Sequence, residues 1–161
     1  MTIPSPQVTS PIPLHRLSPS SKRVSASTSP VVLDASVLSA LLLNDPIKDK
    51  AACYLPKAVT SAASVEEVFS SISPKLIPAE AKYAALKQLN LQIIPLSLRY
   101  ADMIGSLRHQ PYGQNLSLEQ RATLALAIDY NIPVLTTNPQ WQKLNTGVPI
   151  LVIGHAQEGR A

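Results

Sequence analysis

The fold is decided by one short stretch of sequence, Pro30-Val31-Val32-Leu33-Asp34. Its three consecutive apolar residues, two of them β-branched, predict a strand that is buried on both faces. The strand ends on Asp34, and burying that charge is costly unless water, a cation or a helix N-terminus balances it. Ligands of open α/β sheets bind at the carboxyl ends of strands, so Asp34 is a candidate site residue. The alternative is that Asp34 only caps the helix that follows.

Further strands and helices alternate along the rest of the chain. Strands are predicted at 30–33, 58–60, 91–94, 132–136 and 148–153, and helices at 36–43, 45–55, 64–73, 78–89, 97–107, 117–131 and 138–141. Strands that alternate with helices indicate right-handed βαβ units. The sequence therefore predicts an α/β fold with three αβα layers, a mainly parallel sheet of about five strands and a Rossmann-like topology.

Length and composition predict one folded domain with a tail at each end. Residues 1–29 contain five prolines and eight serines, a composition typical of a disordered tail. We expect the domain to span 30–155 and a short C-terminal tail to span 156–161. Three of the four net positive charges lie in the N-terminal tail, so the domain is nearly neutral. Cys53, the single cysteine, excludes an internal disulfide framework, and no apolar run reaches the length of a membrane span.

Polar side chains occur where predicted strands end and helices begin. Asp34 follows the first strand, Glu67 lies in the helix after the second, Glu119 and Gln120 open the long helix, and Asn138 follows the fourth strand. The first and fourth strands are neighbours at the switch point of a doubly wound sheet, so Asp34 and Asn138 should face one crevice. Such a crevice suits Mg²⁺, which takes one or two carboxylates, several waters and substrate phosphates.

Four motifs in this order resemble those of PIN domains, and most closely the VapC-type toxins of bacterial toxin–antitoxin pairs. The resemblance covers about residues 30–153, and its motifs are 31–36, 61–68, 112–122 and 132–138. It implies a ribonuclease that depends on Mg²⁺ or Mn²⁺, with an RNA substrate, a cognate antitoxin protein as partner, a homodimeric assembly and a cytoplasmic location.

The resemblance also implies roles for individual residues. Asp34 matches the family's first acid and Glu67 its second, so these two residues would hold the metal. The third acid falls on Gln120, where the family's Gly-Asp-Arg is replaced by Glu119-Gln120-Arg121, and the fourth falls on Asn138. Two of four carboxylates are thus amides, which predicts weaker metal binding. Glu119 is turned by about 100° from position 120 on a helix, yet its longer side chain could reach the crevice.

Each of these residues also has a purely structural interpretation. Ser64 with Glu67, and Ser117 with Gln120, both match a capping box, in which the two side chains satisfy backbone amides at a helix start. Asn138 before Pro139 is an ordinary N-cap. Capping suits the two amides as well as it would suit acids.

Three functions remain open at this point, the third being a purely structural interaction module in which the helices after Asp45 and Pro78 form a dimer or partner groove. In the first, the protein hydrolyses RNA phosphodiester bonds: Asp34 and Glu67 hold the ion, Glu119 assists, and the amides of Gln120 and Asn138 orient water or phosphate. In the second, it is a catalytically degraded PIN domain that binds RNA or a protein without cutting. Metal affinity distinguishes these two, because an active nuclease must bind Mg²⁺ or Mn²⁺.

Overall fold

The computed structural model describes residues 29–72 and 76–154, which form a five-stranded parallel sheet between two layers of helices. The strands are β1 (Val31–Leu33), β2 (Ala58–Ser61), β3 (Gln92–Ile94), β4 (Val134–Thr136) and β5 (Ile150–Val152). The α-helices are α1 (Ala35–Leu42), α2 (Lys48–Ala52), α3 (Ala62–Ser71), α4 (Ala79–Gln88), α5 (Leu98–Leu107) and α6 (Leu118–Tyr130). Two 3-10 helices span Leu55–Lys57 and Pro139–Lys143. The predicted αβα fold is confirmed.

β1 lies at the centre of the sheet, whose strand order is β3-β2-β1-β4-β5. All three of its side chains are fully buried. Val32 packs into the cluster formed with α5 and α6, whereas Val31 and Leu33 pack into the cluster formed with α1 and α2. The uninterrupted apolar run of β1 follows from this burial on both faces.

β1 pairs in parallel with β2 on one side and with β4 on the other. The chain therefore builds the sheet outward from β1 in one direction through β2 and β3, and in the other through β4 and β5. The carboxyl ends of β1 and β4 are therefore side by side, with Leu33 in register with Leu135. This is the predicted switch point, and it places Asp34 next to the residues that follow Thr136.

The buried helix α6 and the start of α3 define one wall of this region. The interior of α6, Ala122 to Ala127, is buried throughout, as its apolar sequence predicts. Ser117 caps its start, and Asn131 ends it in the left-handed conformation with φ 52°. Asparagine tolerates that conformation better than most residues, which explains its place at the helix end.

Two helix starts differ from the prediction. α2 begins at Lys48 and not after an Asp45 cap, because the Asp45 Oδ1 atom accepts a hydrogen bond from the Ile47 backbone amide in a turn that precedes the helix. α3 begins at Ala62 and not at Ser64. Its cap is Ser61, whose Oγ accepts from the Ser64 amide at 3.0 Å, so the helix follows β2 without a loop.

The described residues do not include 1–28 and 155–161, so the predicted tails fall almost wholly outside them. The domain limits at 30 and 155 therefore stay predictions. Over the part of the chain that is described, every helix is too short or too polar to cross a bilayer.

Candidate functional site

A crevice of about 390 Å³ opens at the carboxyl ends of β1 and β4. All five residues singled out in the sequence line it, namely Asp34, Glu67, Glu119, Gln120 and Asn138. Asp34 and Asn138 directly precede α1 and the 3-10 helix after β4, and the other three lie on α3 and α6, so the sheet topology brings together positions more than 100 residues apart in the chain.

Asp34 lies at the base of the crevice and is 5% exposed. It occupies the N-cap position of α1, yet its side chain makes no capping hydrogen bond. Its Oδ2 atom instead accepts from the Ser36 hydroxyl at 2.6 Å and from the Thr136 hydroxyl at 2.9 Å. The hypothesis that Asp34 only caps α1 is therefore wrong.

The hydroxyls that hold Asp34 also tie the two strand ends together. Ser36 Oγ accepts from the Thr137 amide at 3.1 Å, and Thr136 Oγ1 accepts from the Asn138 amide at 3.1 Å. The orientation of the Asp34 carboxylate is thus fixed by both β1 and β4. Its Oδ1 atom has no hydrogen-bond partner among the described residues, which leaves that oxygen for a ligand.

Glu119, in the first turn of α6, is 6% exposed and lies beside Asp34. Its Oε1 atom accepts from the Ala35 amide at 3.3 Å, from Ser64 Oγ at 2.8 Å and from Thr123 Oγ1 at 3.0 Å. Burial, and after it the negative charge of Asp34, raises the pKa of Glu119 to about 7, although these hydrogen bonds lower it. Sequence spacing did not predict that Glu119, and not Gln120, would be the residue that lies against Asp34.

Glu67 lies on the outer part of the crevice, where its side chain is exposed on α3. The predicted capping box between Ser64 and Glu67 is wrong, because Ser61 is the cap and Glu67 lies beyond the first turn of the helix. Glu67 is thus free of a capping role, and it faces the same crevice as the two buried acids.

Gln120 and Asn138 line the crevice and cap helices at the same time. Gln120 Oε1 accepts from the Ser117 amide at 2.9 Å, and Ser117 Oγ accepts from the Gln120 amide at 3.1 Å, which is the predicted capping box. Asn138 Oδ1 accepts from the Gln140 amide at 3.0 Å. The capping role and the crevice position are therefore compatible, and each amide nitrogen remains available to a ligand.

The charge of the crevice is negative. Its lining includes three acidic side chains and, over the residues that the structure describes, no lysine, arginine or histidine. Two of those acids are almost fully buried side by side, so a cation from outside the chain would compensate a charge that these residues leave unbalanced.

The donor set fits a hard divalent cation such as Mg²⁺ or Mn²⁺. Across residues 29–72 and 76–154, no three His, Cys, Asp or Glu side chains lie together as a group that could hold a metal ion. Mg²⁺ does not need such a group of three, because it is usually held by one or two carboxylates and keeps several waters or phosphate oxygens. Asp34 and Glu119 supply that number of buried carboxylates.

Four hydroxyls around the two acids were not predicted from the sequence to contact them: those of Ser36, Ser64, Thr123 and Thr136. Thr123 could have been found, since it lies four residues after Glu119 and so on the same face of a helix. Ser64 could not, because 55 residues separate it from Glu119 and only the packing of α3 on α6 brings them together.

Comparisons with known proteins agree with this architecture. A family model described as the PIN domain matches residues 31–146. No sequence among the curated proteins matches the chain.

Several solved structures share the fold. The chain is similar to a VapBC2 structure from Rickettsia felis bound to a DNA fragment from its promoter, with a TM-score of 0.61 and 14% identity over 77% of this chain and 98% of that one. It is similar to a toxin–antitoxin complex from Klebsiella pneumoniae, with a TM-score of 0.58 and 18% identity over 76% and 96%. It also resembles VapBC-5 from Mycobacterium tuberculosis, with a TM-score of 0.52 and 20% identity over 78% and 99%.

Proposed function

This chain belongs to the PIN domain family, and from that membership we propose that it is a divalent-metal-dependent endoribonuclease of the VapC type. The observation that carries the proposal is the pair of buried carboxylates, Asp34 and Glu119, at the open switch point of the sheet. A protein that needed the crevice only for stability would gain by replacing one of these acids with a neutral residue, because like charges in a buried site repel.

Asp34 and Glu67 are the family-matched acids that would hold the metal. Asp34 would bind from the base through Oδ1, which accepts no hydrogen bond from the described residues, and Glu67 would bind from the rim. When bound, a divalent ion supplies an activated water and neutralises charge that develops on the phosphate. The chain itself positions the carboxylates: the Ser36 and Thr136 hydroxyls hold the Asp34 side chain at 2.6 and 2.9 Å.

Gln120 and Asn138 would orient the RNA phosphate or a water. Each uses its carbonyl oxygen to cap a helix, which turns the side-chain nitrogen into the group left to donate. They are two of the neutral donors in a crevice whose described lining holds no cationic side chain, so they would bind a phosphate oxygen without a salt bridge. This role needs no acidity at positions 120 and 138.

We further propose the partners and location that are typical of such toxins: a cognate antitoxin protein, a second copy of the chain, and the cytoplasm. One of the similar structures, from Klebsiella pneumoniae, is a toxin–antitoxin complex, which supports the first of these. Exposed apolar side chains on the α1 and α4 side of the molecule, Leu43, Leu76 and Tyr83, are compatible with a protein partner.

The test of the activity uses the purified full-length chain on total RNA with Mn²⁺ and, in a parallel reaction, with EDTA. We expect fragments to accumulate with Mn²⁺ and none to form with EDTA. Intact RNA in both reactions, at Mn²⁺ concentrations shown by calorimetry to saturate the protein, would contradict the proposal.

The second candidate is a degraded PIN domain that binds RNA or a protein without cutting. The observation that favours it is the replacement of two family acids by Gln120 and Asn138, both of which make capping hydrogen bonds. Failure to bind Mn²⁺ at all, combined with retained RNA binding, would favour this second candidate over the first.

A further inference from the structure

The start of α6 presents two neighbouring side chains that have different tasks. Gln120 is engaged with the cap: its Oε1 and its backbone amide both bond to Ser117. Glu119, one residue earlier, takes no part in the capping box of α6 and is buried against α1 and α3, where its Oε1 accepts from the first amide of α1. The residue aligned with the family's third acid therefore completes the capping box of α6, whereas its neighbour points into the base of the crevice.

The contacts of Glu119 orient it without neutralising it. Three donors from three helices converge on Oε1, from Ala35, Ser64 and Thr123. The second oxygen, Oε2, has no hydrogen-bond partner in the described part of the chain. A side chain that is more than nine-tenths buried and holds one oxygen fixed presents the other in a defined direction, which is what a ligand to a metal requires.

Within residues 29–72 and 76–154, no cationic side chain pairs with this carboxylate. The ion pair found among the described residues joins Arg99 of α5 to Asp129 of α6, and it does not involve Glu119. The two buried cations, Lys82 and Arg121, donate to backbone carbonyls elsewhere. A buried acid beside a second acid and without a cation is costly, so its retention is explained best by a cation that binds from solvent.

We propose that Glu119 is a direct ligand of the divalent ion together with Asp34, and that it takes the place of the acid that the family carries one residue later. The proposal rests on the proposed function. It implies that this chain keeps a third carboxylate in the crevice although Gln120 and Asn138 are amides. It also assigns the Ser64 and Thr123 hydroxyls as positioning groups for that carboxylate.

The experiment is calorimetric titration with Mn²⁺ alone at pH 8, where Glu119 is ionised, on the full-length chain and three variants. Glu119→Gln keeps the size and the acceptor oxygen but removes the charge, and it should weaken Mn²⁺ binding at least about ten-fold, or about 1.4 kcal/mol. Asp34→Asn should lose binding. Glu66→Gln removes one charge from the exposed face of α3, outside the crevice lining, and should leave the affinity unchanged.

The outcomes separate the inference from the proposed function. Wild-type Mn²⁺ affinity in Glu119→Gln, together with loss in Asp34→Asn, overturns the role of Glu119 and leaves the proposed function standing. Wild-type affinity in Asp34→Asn overturns the proposed function itself, because the metal would then lie outside this crevice. A melting curve of each variant in EDTA establishes that it is folded.

A fourth variant covers the case in which Glu119→Gln fails to fold. Thr123→Val is nearly isosteric, keeps the charge of Glu119 and removes one donor from Oε1. If Glu119 is a ligand, loss of this orienting hydrogen bond should weaken Mn²⁺ binding about ten-fold. Unchanged affinity in Thr123→Val would count against the proposal.

Discussion

Two buried charges in this protein, Lys82 and Glu119, have opposite surroundings. Lys82 is 8% exposed, and its Nζ donates to the Phe69 and Ile72 carbonyl oxygens at 2.8 and 2.7 Å, at the C-terminal end of α3. The ammonium also lies 5.7 Å from the centre of the Phe69 ring. Carbonyl dipoles and a ring face are both favourable for a cation. Lys82 is thus satisfied within the fold.

Glu119 has hydrogen bonds but an unfavourable neighbour. Three donors reach one of its oxygens, while the negative charge of Asp34 lies close enough to raise its pKa. A charge that serves stability is surrounded by groups of opposite polarity, whereas a charge kept beside another of the same sign indicates a requirement other than stability. The comparison predicts opposite consequences when each charge is removed.

The largest expected effect is on activity. Asp34→Asn should abolish RNA cleavage while the protein stays folded, because Asn keeps the shape of the side chain but cannot supply the charge at the base of the crevice. The measurement is cleavage of total RNA with Mn²⁺, with a melting curve as the control for folding. Cleavage at the wild-type rate that is still inhibited by EDTA would place the metal elsewhere.

The second-largest effect is expected in how the free energy of unfolding depends on pH in the presence of EDTA. A carboxyl whose folded pKa is raised from 4.5 to about 7 favours the protonated folded state. Its contribution is therefore fully present below pH 4.5 and is lost as the pH rises through 7, a difference on the order of 3 kcal/mol.

This pH dependence is isolated by the difference between the wild type and Glu119→Gln. Between pH 4.5 and 8, the free energy of unfolding of the wild type should fall relative to that of the variant. Denaturant titrations of both proteins at several pH values measure it. If the free energies of unfolding of the two proteins change with pH in parallel, Glu119 lies in surroundings as well balanced as those of Lys82. The two buried charges would then not differ in the way argued above.

Removal of the other charge should destabilise the protein at every pH. Lys82→Met keeps the aliphatic stem but leaves the Phe69 and Ile72 carbonyl oxygens without their donor, which should cost about 1–3 kcal/mol. Mn²⁺ affinity should not change. Lys87→Met, on the exposed face of the same helix, is the matched control and should stay within about 0.5 kcal/mol of the wild type. Equal melts of the two variants would contradict the structural role of Lys82.

Much of this architecture was predictable because it depends on local sequence. The apolar run of β1, the Ser117 cap and the left-handed Asn131 each follow from a few neighbouring residues, and the alternation of elements led to the switch point. The start of α3 was predicted two residues late, because Ser61 and Ser64 are both good caps and only the end of β2 decides between them.

The pairing of Glu119 with Asp34 was not predictable in the same way. It depends on how deeply the first turn of α6 is inserted between α1 and α3, and the residues that hold Glu119 lie as many as 84 positions away in the chain. A family pattern also pointed to position 120, where the structure has a capping side chain. The candidate residues could be found from the sequence, but the division of tasks between two neighbours required the packing of three helices.

The smallest expected effect concerns the two amides, and it tests whether the crevice is still able to accept the charges that the family has. Gln120→Asp combined with Asn138→Asp keeps a side-chain acceptor at each helix start, so both caps can persist. The added carboxylates should tighten Mn²⁺ binding about ten-fold, which corresponds to about 1.4 kcal/mol.

The same double variant should melt below the wild type in EDTA, because it adds like charges to a crevice that already holds three acids. Calorimetry with Mn²⁺ and a melt in EDTA measure the two halves. The control is Gln88→Glu with Gln92→Glu, which adds the same charge at exposed positions on α4 and β3 and should change neither. If the crevice variant behaves like this control in both measurements, positions 120 and 138 only cap their helices. The negatively charged site would then consist of Asp34, Glu119 and Glu67 alone. Only those three acids would differ from Lys82 in lacking compensation within the fold.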